Sequence, residues 1–495
     1  MTAYTFPTAT PESLGIPSQA VIDLLEAVRR EDLVFNSIQI LRHGKRCVEA
    51  YYDPYGPDDA HVCFSFTKSV VSTAIGMLAA EGKISLDDKV LSFFPEDAPE
   101  NPSENLKEMN IRHLLTMTCG HEREPFVREE NWVRGFLAHP VPRKPGTFFV
   151  YNSRGSYMLA AIIKKVTGQN FTEYLKPRLF DKMGIEGYSC STCPRGIENG
   201  GGGLSMRPRD MAKLAQLWLN RGVWEGETLV DPAYIDDATS IHIIQAEGWS
   251  PVKYAGMENA FAGYGYQVWR NTVPGTYRFD GMFGQLALIL PKYDMAVVIT
   301  AATLRIYKIL NTVWRMLIPA LEPEALPEDP EAKARLDAYL AALSVPWTET
   351  MPRQKAAEAV LSGRRILFPN NDLAILPGFF AKGGLTDLTV TFGEETATLA
   401  YTQNGVKEET VLGLDGQRLR GQIAGAAVAG TLNWLDDTRC VIDLNHVNHV
   451  YHETITLTLK GGRNVDMTLY LTPNDCDIPS GSKYRPAQTI PGTLE

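Results

Sequence analysis

The sequence predicts an α+β domain followed by an all-β domain, and three observations carry that reading. Strand-like runs stand at both ends of the first 320 residues with helical patterns between them, so the two ends can return to one antiparallel sheet flanked by helices. A Glu- and Pro-rich stretch breaks the pattern at 321–330. After Arg353 the apolar residues alternate with a period of two, in short runs bounded by Gly, Asn and Asp. The expected boundaries are a first domain over 1–320, a linker with a surface helix over 321–353, and an all-β sandwich or barrel over 354–495.

Ser18, following Pro17, caps a first helix whose stripe is Val21, Leu24, Leu25 and Val28. Runs 37–41 and 47–52 form a hairpin around His43-Gly44-Lys45. An apolar helix over 70–80, stopped by Gly82, begins just after Ser65. Residues 84–94, with Ser85 as a cap, form another short element, and 111–117 is helical up to Cys119-Gly120. The mixed stretch 121–148 suits a lid or a cleft wall. A helix over 157–166 ends at Gly168, and another starts at Pro208 and runs through Trp218. Strands at 265–269, 286–290 and 295–300 follow, with a turn at 291–294, and a helix over 304–317 closes the domain. A helix over 331–343 lies in the linker. The last domain has strand patterns at 388–392, 396–401, 410–414, 426–432, 440–444, 454–460 and 467–471.

Composition bounds the function. With 44 % hydrophobic and 21 % charged residues the chain has an ordinary globular core. Its net charge of −10 and lack of a basic run argue against a nucleic acid or an anionic membrane as partner. The N-terminus has neither a charged n-region nor an apolar h-region, and no stretch reaches a membrane span of roughly 20 apolar residues. Seven scattered cysteines do not read as a disulfide framework, so a reduced, cytoplasmic protein is expected.

The chemistry centres on Ser65 and Lys68. Residues i and i+3 share a helix face, which brings the lysine amine near the serine hydroxyl. A serine needs a base beside it, and a lysine can serve if burial or a neighbouring cation lowers its pKa. Tyr151, 86 residues further on, opens the turn Tyr151-Asn152-Ser153 before a helix. A tyrosine beside a Lys–Ser pair can relay the proton as a phenolate stabilised by Lys⁺; otherwise it is a core aromatic, with Asn152 or Ser153 capping the helix.

Ser65-Phe66-Thr67-Lys68, Leu115 to Gly120, Pro145-Gly146 through Tyr151-Asn152-Ser153, Gly201 to Asp210, Tyr264-Gly265-Tyr266 and Gly281 to Gln285 occur in that order. With these motifs the chain resembles, over residues 10–320, the serine β-lactamase and penicillin-binding-protein-like hydrolases, in the class C-type esterase, D-aminopeptidase and amide-hydrolase branch. The resemblance implies a β-lactamase/transpeptidase-like fold and a Ser65 acyl-enzyme, with Lys68 and Tyr151 as the proton-transfer pair. It implies a third motif on a strand edge beside the site. That family usually has Lys or His, then Ser or Thr, then Gly; this chain has Phe279-Asp280-Gly281. A cation that would hold a substrate carboxylate is missing there. If Asp280 faces the site it repels a carboxylate and favours a neutral or amine-bearing substrate; if it faces outward it is an acid at a turn. The amides of Ser65 and Met282 are the expected oxyanion hole. Asn152, Ser153, Asp280, Gly281, Trp132 and Tyr264 are the expected substrate contacts, with Trp249 and Tyr266 as further pocket candidates; for these four aromatics core packing is an equal alternative.

The glycines at 200–203 lack the Gly-Lys-Ser/Thr of a phosphate loop and suit close packing beside the site. Cys190 and Cys193 have no second pair at zinc spacing, and His446, His449 and His452 read as a strand surface or polar loop. No metal or other cofactor is expected. The leading reading is a serine hydrolase that cleaves an ester or amide bond of a small molecule or peptide. Its competitors are a catalytically weak or inactive binding or scaffold protein of this fold, and a D-Ala carboxypeptidase or β-lactamase. The role of the C-terminal domain and the oligomeric state are left open by the sequence.

Overall fold

The computed structural model describes residues 4–125, 127, 129–245, 255–349, 351–369, 371–375, 383–473 and 487–495, so Trp249 lies outside the described residues. The chain divides into two compact units. The first takes in the chain up to Ala50, Ala60–Ala301 and Ile306–Ala342; the second takes in Tyr51–Asp59, Ala302–Arg305 and Leu343–Glu495.

The first unit is built on a six-stranded sheet. Its strands are β1 (Phe35–Arg42), β2 (Lys45–Tyr51), β3 (Trp269–Arg270), β4 (Tyr277–Gly281), β5 (Gln285–Leu290) and β6 (Met295–Ala301), in spatial order β2-β1-β6-β5-β4-β3. The first hairpin thus joins the last strands: Ile38 pairs with Ile299, Leu288 with Val297 and Ala287 with Phe279, all antiparallel. β1 and β6 are buried along their whole length, which explains the near-continuous apolar run of β6, while β1 also buries Asn36, Ser37, Gln39 and Arg42. Against Leu41, Phe279, Ala287 and Val298 lies the core of the helices α2 (Thr67–Ala80), α3 (Ser153–Thr167) and α4 (Pro208–Leu219).

Three expectations for this unit need correction. The helix α1 (Ser18–Arg30) is capped by Glu12, whose carboxylate accepts the Ser18 N–H at 2.7 Å and its hydroxyl at 3.0 Å. Residues 265–268 are not a strand. Gln267 has φ 60°, and a Cβ on Gly265 would lie 2.0 Å from the Ala238 carbonyl, so this segment takes an irregular path against helix ends. The helix Pro330–Ala341 belongs to the first unit rather than to a linker. Its Leu336 is fully buried, and its Tyr339 feels the charges of Glu26 and Arg29 on α1.

The second unit is a ten-stranded β-barrel. Beyond the strands the pattern foretold, it contains Arg365–Leu367, Leu419–Ile423 and Gln488–Leu494. The strand at one end of the order, Val406–Gly413, meets the penultimate strand at the other, Ala426–Trp434, where Gly413 pairs with Thr431, which closes the sheet. The interior is lined by alternate residues such as Leu399, Leu412, Leu432, Ile442, Ile455 and Met467. The histidines do not form a strand surface. His446 is 1 % exposed, 3.4 Å from the equally buried Glu453, while His452 meets Asp443 at 3.0 Å. Among the described residues no helix is long and apolar enough to cross a membrane.

Candidate active site

Ser65 sits in a single tight turn, Phe64–Phe66, that leads into α2. Phe64 holds the left-handed conformation (φ 47°), which a bulky residue adopts only under constraint. The constraint is local. Thr67 Oγ1 donates to the Phe64 carbonyl at 2.6 Å and accepts the Leu204 N–H at 3.2 Å, and the Cys63 N–H donates to the Leu204 carbonyl. α2 is buried from Thr67 through Leu78. Its polar residues are satisfied sideways: Ser69 Oγ donates to the Gln267 carbonyl, Ser72 Oγ to the Tyr266 carbonyl, and Thr73 Oγ1 accepts the Trp218 indole N–H. A polar helix can therefore run through the core and deliver a half-exposed Ser65 at its mouth.

Lys68 is 1 % exposed. Its Nζ lies 3.0 Å from Ser65 Oγ, 3.2 Å from Ser153 Oγ and in contact with the Gly201 carbonyl. All three neighbours are neutral oxygens. Burial brings the Lys68 amine down to about 7, against a smaller opposing pull from the charges of Glu124 and Asp280. The Tyr151 ring centroid is 4.9 Å from the amine. Burial pushes the Tyr151 phenol well above its ordinary value, its hydrogen bond with Ser65 pulls the other way, and Asp280 and Glu124 add to the rise.

The Tyr151 turn hangs on a second left-handed residue, the fully buried Met117 (φ 58°). The Met117 carbonyl accepts the Val150 N–H at 2.9 Å and its sulfur the Asn152 N–H at 3.2 Å. Behind the turn, Phe149, Tyr264 and Trp269 pack edge to face, and Trp269 stacks on Tyr151 at 5.6 Å.

The third wall is β4. Phe279 points into the core between Phe66 and Trp218. A Cβ on Gly281 would lie 2.2 Å from the Cys63 carbonyl, so only glycine lets this strand edge approach the Ser65 turn. Past Met282, Phe283 is again left-handed (φ 65°), and its ring lies 5.3 Å from that of Phe64. The two strained aromatics thus flank the segments carrying the Ser65 and Met282 amides. Asp280 directly precedes Gly281 on this strand edge, and its charge acts on both Lys68 and Tyr151. The strand does supply a cation, Arg278, but its Nε donates to Asp280 Oδ2 at 2.7 Å and the side chain is fully buried.

Ser65, Lys68, Tyr151, Ser153, Asp280 and Gly281 therefore come together, with Met282 at the end of the same strand edge. Three expected substrate contacts do not join them. Asn152 is 2 % exposed and caps α3, its Oδ1 accepting the Gly155 N–H at 3.0 Å while its amide meets His121. Tyr264 is 2 % exposed and stands behind Tyr151 as packing. Trp132 packs on Tyr157 and carries the Arg154 guanidinium on its face. Tyr266 is likewise fully buried, its hydroxyl bonded to Asp237. Four neighbours of these residues escaped the sequence reading: the Gly201 carbonyl at Lys68, Glu124 and Tyr307, whose charges act on Tyr151, and Trp269 stacked on it. The glycine run signalled the first, because a Cβ on Gly201 would meet the Ser153 carbonyl at 2.6 Å. Nothing local marks the others.

The chain is similar to several known proteins. The chain is 25 % identical over 296 residues to 6-aminohexanoate-dimer hydrolase of Paenarthrobacter ureafaciens, covering 54 % of this chain and 73 % of that protein. It is 28 % identical over 186 residues to esterase EstB of Burkholderia gladioli, covering 32 % of this chain and 46 % of that protein. Among solved structures, a Bacillus anthracis protein provisionally named 6-aminohexanoate-dimer hydrolase shares the fold with a TM-score of 0.52 at 22 % identity, covering 66 % of this chain and 89 % of that one. The family model described as Beta-lactamase matches residues 36–306, more than half of the sequence, and the chain belongs to that family.

Proposed function

We propose that the protein is a serine hydrolase that cleaves an ester or amide bond through an acyl-enzyme on Ser65. The observation that carries this is the buried Lys68 amine, 3.0 Å from Ser65 Oγ, ringed by neutral oxygens and brought down to about 7. A neutral amine has two N–H bonds and one lone pair. The Gly201 carbonyl and Ser153 hydroxyl take the two donors, which leaves the lone pair for the Ser65 proton.

Ser65 Oγ then attacks the substrate carbonyl carbon while its proton passes to Lys68. The charge developing on the carbonyl oxygen falls to the amides of Ser65 and Met282, each such donor being typically worth ~2.7–4 kcal/mol. As the tetrahedral intermediate collapses, Tyr151 gives its proton to the leaving amine or alcohol and takes one from the Lys68 ammonium, so that both return to neutral. Water attacks the acyl-enzyme with the same groups in reverse order. In this role Tyr151 is a neutral relay, unlike the phenolate that the sequence suggests.

The named activities of the similar proteins, an amide-dimer hydrolase and an esterase, favour amide and ester substrates over a binding-only role. Asp280, standing where a carboxylate-binding cation is expected, disfavours the carboxypeptidase and β-lactamase readings. The test is intact-mass spectrometry after incubation with a fluorophosphonate. One adduct that maps to Ser65 and vanishes in Ser65→Ala is expected. No adduct, together with equal rates for wild type and Ser65→Ala on p-nitrophenyl esters and amino-acid amides, would overturn the proposal.

A further inference from the structure

We infer that the substrate carries a free ammonium group and that Asp280 is the residue that selects it, an inference that rests on the hydrolase reading above. Asp280 precedes Gly281, the residue through which the strand edge touches the Ser65 turn. Its Oδ2 accepts Arg278 Nε at 2.7 Å, and Arg278 is itself immobilised. Arg278 Nη1 donates to Asn271 Oδ1 at 2.7 Å and to the carbonyls of Arg270 at 2.9 Å and Asn259 at 3.3 Å, with the Trp269 ring 5.3 Å away. With no exposure at all, the guanidinium cannot reach a ligand; it holds the carboxylate in one orientation. The Asp280 side chain keeps 12 % exposure, and among the described residues its Oδ1 has no hydrogen-bond partner. Of the pair it is therefore the carboxylate, and not the cation, that is open to a ligand.

Beyond Arg278, no cation among the described residues is hydrogen-bonded to that carboxylate. Lys68 is engaged by Ser65, Ser153 and Gly201, none of them charged. Arg154 is turned onto Trp132, 3.9 Å from its ring. A second carboxylate, the exposed Glu124, accepts the Ser153 N–H at 2.9 Å, and its charge also acts on Lys68 and Tyr151. A substrate carboxylate entering this site meets two like charges. An ammonium meets an oriented acceptor with a vacant oxygen and a second anion beside it. The substrate class that fits is an acyl compound with an unprotected amine near the scissile bond, such as an amino-acid amide or ester. A charge-assisted hydrogen bond of this kind corresponds to about 10-fold to 100-fold in binding.

The experiment compares kcat/KM at pH 7 for alanine p-nitroanilide of either hand with its N-acetyl and N-succinyl derivatives, in wild type, Asp280→Asn and Glu124→Gln. The free amine is expected to lead the acetylated compound by about 10-fold or more, with the succinylated one slowest. Asp280→Asn should shrink the amine-to-acetyl ratio about tenfold, chiefly through KM, and Glu124→Gln by less. Asp280→Asn leaves Arg278 without its counter-charge and can fail to fold. Wild-type inhibition therefore gives an independent arm, in which alkylammonium ions should compete and alkanoates of equal length should not. A wild-type preference for the acetylated or succinylated compound, or equal inhibition by both ions, overturns the inference. Fluorophosphonate labelling of wild-type Ser65 separates the two proposals. Labelling without amine preference sinks only the selection by Asp280, whereas no labelling, together with equal rates for wild type and Ser65→Ala, sinks the hydrolase reading itself.

Discussion

Lys68 answers two opposed demands. In the proposed role of base it must be neutral near pH 7, and burial favours that by making its charged form unfavourable inside the fold. Activity requires the deprotonated amine, so kcat/KM should climb as pH rises through about 7 and then level off. Tyr151, pushed above its ordinary value, should add no falling limb below pH 10. The same burial acts on stability with a definite sign. The unfolded lysine holds its proton up to about 10.4, the folded one only up to about 7, so between these values the unfolded state binds more protons and stability rises with pH. Below pH 7 the full penalty applies, on the order of 4 kcal/mol. Lys68→Met should therefore cut kcat by at least about 100-fold, the usual scale of a lost general base. It should also raise the melting temperature at pH 6 and lose that advantage by pH 10. A melting temperature that falls at every pH would mean that the three hydrogen bonds of Lys68 outweigh its desolvation. At this scale the sequence was informative where chemistry needs a residue type at a fixed spacing. Ser65, Lys68 and Tyr151 could be named from it, and so could Asp280 as an anomaly. It was silent on Glu124 and Tyr307, because a carboxylate in a loop and a tyrosine on a helix acquire meaning only from what the fold sets beside them.

Elements explain why some named residues serve the site indirectly. Asn152 looked able to bind a substrate amide, yet its Oδ1 closes the first turn of α3. Losing an N-cap costs about 1 kcal/mol, so Asn152→Ala should lower stability by roughly that much, and Asn152→Asp should restore most of it. Thermal melts of the three proteins check this; a substrate contact would instead show as a KM effect with unchanged melting. Gly281 makes the stronger case. Its β4 backbone lies against Cys63, and Gly281→Ala would force a Cβ to within 2.2 Å of that carbonyl. The strand edge must then move away from the Ser65 turn and take the Met282 amide with it. A drop in kcat of about 100-fold to 1,000-fold with little change in KM is expected, the signature of a lost oxyanion donor. Strand patterns were legible where burial alternates or runs unbroken, as in 286–290 and 295–300. They failed in two physical situations. Residues 265–268 have strand-like composition but are held by helix ends, and Gln488–Leu494 carries Pro491-Gly492, which reads as a turn even though it pairs with Asn464–Leu469.

The whole molecule is less linear than its sequence. Composition puts a boundary near residue 320, whereas the first unit runs on to Ala342, and the barrel unit also claims the nine residues Tyr51–Asp59, from the last residue of β2 to just before the strand His61–Val62 that precedes Ser65. No local pattern announces this excursion, because its partners lie some 360 positions away. Arg420 grips Asp59 with two hydrogen bonds of 2.8 and 2.7 Å and also reaches the Pro54 carbonyl. Asp59 in turn accepts the Gly56 N–H at 2.7 Å, so one carboxylate shapes the turn and ties it down. Arg418 pairs with Asp53, and the buried Tyr55 hydroxyl lies 3.4 Å from the His449 carbonyl. Arg420 is about half exposed, and a pair open to water contributes at most about 1 kcal/mol. Arg420→Ala should therefore leave global unfolding within that margin while releasing the segment locally. Hydrogen exchange measured by mass spectrometry on the full chain distinguishes the two levels. Peptides covering 51–59 should exchange faster in the variant, and those from 426–446 should keep their protection. Unchanged exchange at 51–59 would assign the anchoring to the buried Tyr55 instead, and Tyr55→Ala would then be the change that frees the segment.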